Sequence, residues 1–143
     1  MRLDQGDHRA LALWATDCAE RVLPLFEERY PQDTRTRDAV EAGRAWARGE
    51  LAMSQARVAA LASHAAARDA DDAAARAAAR AAGHAAATAH VAGHAAHAAT
   101  YAVTAASSAA GDATAAAAKE REWQDRHLPQ HLRPVAFPAR GKR

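Results

Sequence analysis

The sequence predicts an all-α fold, a compact bundle of about five to six alanine-rich helices with the first helix kinked at Pro24. Three observations carry this reading. Of 143 residues, 46 are alanine, the best helix former and a residue that loses no rotamer freedom on burial. Leu, Val and Phe total only 17 and Ile is missing, which leaves too few β-branched and aromatic side chains for a sandwich or a parallel sheet. The single cysteine, Cys18, excludes a disulfide scaffold. The length suits one domain rather than two. The expected division is a helical domain over 1–128 and a Pro-containing basic C-terminal tail over 129–143.

Each element follows from spacing and punctuation. Near Asp7 a helix begins whose stripe runs through Leu11, Trp14, Cys18, Val22 and Leu25 at three- and four-residue steps, widened by Leu13, Ala15, Ala19, Leu23 and Phe26. Pro24 removes a backbone donor and crowds the preceding turn, so a kink or two half-helices is expected there. A second segment, Asp38 to about Arg48, is capped by Thr34 or Thr36 and ends at Gly49. Ser54 is expected to cap a third, with Val58, Leu61, Ala65 and Arg68 along it, closed by Asp69, Asp71 and Asp72. From Ala73 to Ala110 helix propensity is continuous, too long for a domain of this size, and Gly93 is the expected break between 73–91 and 94–109. Gly111 and Asp112 introduce a last helix over about 113–127, ended by Pro129. Trp14, Trp46 and Trp123 are expected to plug gaps between close-packed alanine faces.

Charge narrows the function classes. The net charge is only +2. The basic excess lies at the end, where Arg133, Arg140, Lys142 and Arg143 follow the last acid, Asp125. With no basic helix face interleaved with aromatics, nucleic-acid binding is not the expected function. Residues 81–111 hold no Asp, Glu, Lys or Arg, but His84, His90, His94 and His97 in an alanine background suit a helix buried in protein rather than in lipid. The N-terminus lacks the basic-then-apolar pattern of a signal peptide, and a lone cysteine fits a reducing compartment, so a cytoplasmic location is expected.

The candidate site is a polar pocket or interface formed by Asp17, His64, Arg68, Asp69, His84, His90 and His94. His64 and Arg68 are one turn apart beside Asp69, as are Asp17 and Arg21, a spacing that usually makes local surface pairs. His90, His94 and His97 stand at i, i+4 and i+7. On an unbroken helix they share one face, so they form the alternative metal set, with zinc or copper as the fitting ions. The ligand count is incomplete, and no metal or cofactor is expected. No Gly-rich phosphate loop, GxSxG or HExxH occurs, and Cys18 sits in an apolar stripe where thiols are inert, so no catalytic residue is expected.

Five strings occur in order: ALWATDCAERVLPLFE at 12–27, AVEAGRAWARGEL at 39–51, ASHAAARDA at 62–70, ARAAGHAAATAHVAGHA at 79–95 and EREWQDRHLPQHLRP at 120–134. Together they resemble the immunity-five-like family of immunity proteins from bacterial polymorphic toxin systems, over roughly residues 8 to 135. The resemblance implies a small antitoxin that is not an enzyme and whose partner is a cognate toxin protein. Such a protein needs only to be folded in advance and to present a complementary surface. The acids Glu20, Glu27, Glu28, Asp33 and Asp38 are either an ordinary solvated face or, for a nuclease toxin, a mimic of phosphate. The alternative is a helical protein that binds a small molecule or metal through His64, His84, His90 and His94. A homodimer through alanine faces is a further possibility.

Overall fold

A computed structural model describes residues 2–138, and among them the regular structure is entirely helical. Helix α1, Gln5–Val22, opens with Asp4 as N-cap: its side chain accepts from the Asp7 N–H at 2.7 Å, and Asp7 reaches back to the Asp4 N–H. Leu11, Trp14, Cys18 and Val22 are buried as the stripe predicts, while Leu13 is 38 % exposed. The helix stops at Val22, and Pro24 occupies the first turn of a separate four-residue helix, α2, Pro24–Glu27, where its missing N–H needs no partner.

Helix α3 spans Arg35–Ala47 and ends before Gly49, whose φ of +77° lies in the left-handed region that glycine enters freely. Helix α4, Met53–Asp69, starts before the expected Ser54 cap. Ala52 takes the cap position, and its N–H is satisfied by the Gln55 side chain at 3.2 Å. The inward face of α4 is made of small residues. Ala56, Ala60, Ser63, Ala66 and Ala67 are buried, whereas Val58 and Leu61 face outward. Methyl groups let α4 lie close to its neighbours, and the two larger side chains do not fit into that narrow seam.

Asp72 caps α5, Ala73–Ala87, and Asp112 caps α7, Ala113–Arg126, each accepting from the N–H three residues on. The long alanine run does break before α6, His94–Ala109, with Gly93 at its N-cap, but α5 ends at Ala87, earlier than expected. The Thr88 hydroxyl donates to the His84 carbonyl, and the Thr88 carbonyl meets His8 Nε2 at 2.6 Å, so the turn is held from outside the helix pair. Helix α5 is the centre of the bundle. Ten of its fifteen residues are buried, and the other five, Ala73, Arg76, Arg80, His84 and Ala87, fall along one stripe of the helix. It packs against α1, α2, α3, α4 and α6. Gly43 of α3 permits a close approach: a Cβ there would stand 2.7 Å from Thr16 Cγ2 on α1 and 3.4 Å from the Ala85 carbonyl on α5.

Of the three tryptophans only Trp14 is buried, its indole N–H donating to the Gln124 carbonyl at 3.0 Å. Trp46 and Trp123 are half-buried, lying against His8 and His127 respectively. Alanine faces close on one another and leave no gap large enough for those indoles. The segment expected as a basic tail from residue 129 forms a 3₁₀ turn over Gln130–Leu132 and a short helix α8, Arg133–Ala136. Leu132 and Ala136 enter the core, and Phe137 meets Trp14 edge-on at 5.6 Å. Arg140, Lys142 and Arg143 lie outside the described residues.

Candidate functional site

Three helices bring four imidazoles together. His64 comes from α4, His84 from α5, and His94 and His97 from the first turn of α6. His84 is the hub: its ring lies 4.8 Å from His64, 5.1 Å from both His94 and His97, and 5.4 Å from Tyr101, which it stacks almost parallel. Nδ1 of His84 and Nδ1 of His94 are 3.0 Å apart, a contact that requires one nitrogen protonated and the other bare.

The chain makes room for this cluster with a glycine. A Cβ on Gly83 would fall 2.7 to 2.9 Å from three atoms of the His64 ring, so that ring lies flat on the α5 backbone. In this position His64 Nδ1 is buried without a hydrogen-bond partner. Burial disfavours the charged form and lowers the pKa of His64, His84 and His94 below the ordinary histidine value, His84 to about 3. Nearby charge acts in the same direction, with Arg80 and Arg68 lowering His64 and the neighbouring imidazoles lowering His84. Among the described residues no carboxylate offsets them, so at neutral pH these three rings are uncharged.

The other expected site residues lie elsewhere. His90 is exposed in the α5–α6 turn, so the His90, His94, His97 triplet is not on one helix face. Its spacing needs an unbroken helix, and the helix begins only at His94. Among the described residues, no group of three or more His, Cys, Asp or Glu is placed to hold a metal ion. Arg68 is exposed, and Asp69 pairs with Arg35 at 3.0 Å. Asp17 does not pair with Arg21 one turn on. It accepts from Arg44 of α3 at 2.9 Å, while Arg21 grips Glu120 of α7 through two hydrogen bonds of 2.7 and 3.1 Å and lies over the Trp123 ring. Both side chains thus take interhelical partners, Arg44 reaching Asp17 from α3 and Glu120 reaching Arg21 from α7.

Much of the expected acidic face is consumed in the same way. Arg37 binds Glu20 at 2.9 Å and Glu27 at 2.8 Å, Arg44 also binds Glu20, and Arg35 binds Asp33 at 2.7 Å. Asp38 accepts from the Thr34 hydroxyl, and Glu28 is exposed. Sequence spacing gave no sign of this lattice of arginines. The sign it did give for the imidazole cluster is Gly83, a glycine inside an otherwise unbroken alanine helix and directly before a histidine.

Cys18 is fully buried, and desolvation, reinforced by Glu120, pushes its thiol well above the usual range, so it holds no reactive thiolate. No helix among the described residues is long and apolar enough to cross a membrane.

No curated protein and no solved structure matches the chain. A protein-family profile described as "Imm-5 like putative immunity protein" matches residues 1–131, from α1 into the 3₁₀ turn after α7. With that match over most of its length, the chain belongs to the Imm-5-like family of immunity proteins.

Proposed function

We propose that this protein protects its bacterial producer by binding a cognate toxin of a polymorphic toxin system in the cytoplasm, one to one, and performs no chemistry of its own. The observation that carries this reading is the family match over residues 1–131. The physics of the molecule supports it. A bundle whose helices are locked by interhelical arginine–carboxylate pairs is ordered before it meets a partner, so little conformational freedom is lost on association. The test is co-expression with the product of the adjacent reading frame. The expected result is a stable equimolar complex and loss of toxicity. Toxicity undiminished by the protein, with no complex formed, overturns the reading, as does steady turnover of a substrate by the pure protein.

A second reading makes the imidazole cluster a ligand site for a small molecule or metal. The buried, unpartnered Nδ1 of His64, whose ring lies against His84, favours it. Calorimetric titration with zinc and with copper tests the metal form. A saturable response lost in His84→Gln supports it, and none at millimolar metal refutes it.

A further inference from the structure

The exposed apolar side chains are unevenly placed. Met53, Val58 and Leu61, three of the large hydrophobic residues at the surface, are all on α4, with Val58 68 % and Leu61 59 % exposed. At about 100° per residue, Ser54, Arg57, Val58, Leu61, Ala65 and Arg68 fall along one face, opposite the buried stripe from Ala56 to Ala67. From Leu51 to Arg68 there is no carboxylate. Among the described residues, neither Arg57 nor Arg68 has a salt-bridge partner, and Asp69, the nearest acid at the end of the helix, is taken by Arg35. The α1–α3 side of the bundle is the reverse, since Asp17, Glu20, Glu27 and Asp33 are answered internally by Arg35, Arg37 and Arg44. Uncommitted charge and uncovered aliphatic surface therefore coincide on α4, where an apolar centre is flanked by two arginines.

We propose that the outer face of α4 docks on a protein partner that offers an apolar patch with an acidic rim. Only the naming of that partner as the toxin rests on the function proposed above. Arginine and a desolvated aliphatic centre are the ingredients of an interface hot spot, and the flanking charges would steer approach. A second copy of this chain is a poor occupant, because two-fold pairing of this face sets arginines against arginines. A nucleic acid calls for rows of cations rather than Val58 and Leu61. A bilayer-seeking helix carries aromatic anchors, and α4 has none.

The surface is tested on the full chain, isotopically labelled for NMR, by titration with a helical peptide of Glu and Leu, its Lys counterpart, phosphatidylglycerol vesicles and duplex RNA. The expected result is a response to the Glu peptide alone, confined to the outer face of α4 and weakened by salt. Val58→Glu with Leu61→Glu, or Arg57→Glu with Arg68→Glu, should weaken it about tenfold or more. All four side chains are largely outside the core, and unchanged melting temperatures establish that the variants fold. Binding to vesicles or RNA through this face, or no response to the Glu peptide on it, overturns the proposal. In the toxin complex the same substitutions should lower affinity about a hundredfold. Unchanged toxin affinity overturns the α4 surface and leaves the immunity reading standing. A wild-type protein that binds no neighbouring toxin overturns the immunity reading, and the peptide arm then decides the surface by itself.

Discussion

Replacing Gly43 by Ala sets two effects of opposite sign against each other. Glycine inside a helix is worse than alanine by about 1 kcal/mol, so propensity alone predicts stabilisation. Geometry opposes it. The new Cβ would lie 2.7 Å from Thr16 Cγ2, against an ordinary carbon–carbon contact of about 3.5–4 Å. The Ala85 carbonyl at 3.4 Å and Ala86 Cα at 3.5 Å block relaxation toward α5. Thr16 is fully buried and donates to the Leu13 carbonyl at 2.8 Å, so turning it aside sacrifices that bond or inserts its methyl elsewhere in a packed seam. Overpacking of this kind costs about 1–3 kcal/mol. The expected net loss is about 1 kcal/mol, or roughly 2–4 °C in melting temperature for a chain of this size.

The double variant decides the cause. Thr16→Ser removes the clashing methyl and keeps the hydroxyl, so Gly43→Ala with Thr16→Ser should be more stable than the sum of the two single changes implies, with a coupling of about 1 kcal/mol or more. Urea denaturation followed by far-ultraviolet circular dichroism measures all four corners of the cycle, and an unchanged m-value shows that only stability has moved. Additive effects, or a Gly43→Ala protein stabilised by the full propensity gain, would refute the tight crossing of α1, α3 and α5.

Three further outcomes follow from the structure. The folded-state pKa values of His64, His84 and His94 are lowered, so the unfolded chain binds more protons. Stability should be fully present above the ordinary histidine pKa and fall as pH drops through it, with His84 contributing most. Urea melts between pH 7 and 5.5 check this, and His84→Gln should flatten the slope. Arg21→Met strands Glu120, which is only 6 % exposed. The expected loss of about 2–4 kcal/mol should be partly restored by adding Glu120→Gln, read from the same melts. Gly93→Ala should change stability by less than about 0.5 kcal/mol, because φ there is −61° and nothing lies within 4 Å of the added carbon; a larger loss in a thermal melt would contradict the cap geometry.

What could be read from the residues divides along physical lines. Helix propensity and punctuation are local, so the all-helical class, the interruption before His94 and the stops at Gly49 and Pro129 were legible. Which face of α4 turns inward was not. Pattern reading assigns the larger apolar residue to the core, yet Ala60 and Ala67 are buried and Leu61 is exposed, because interhelical spacing is a property of the assembled bundle. The same limit applies at the candidate site. Asp17 with Arg21 and His64 with Arg68 are neighbours along the chain, but the partners that matter come from other helices: Arg44 for Asp17 and His84 for His64. The gathering of His64, His84 and His94 follows from the order in which α4, α5 and α6 pack, and spacing within one segment does not encode that order.

The alanine lining of α5 makes this protein's tolerance of change lopsided. Where most domains fail by losing bulk from the interior, Ala75, Ala78, Ala82 and Ala86 are fully buried with a single methyl each to give up, in an interior where protein packing leaves few voids. Damaging substitutions along this rod should therefore be additions, even of a valine's two carbons. Adaptation to new partners must then happen on the outer helices, while the central one remains almost unchangeable.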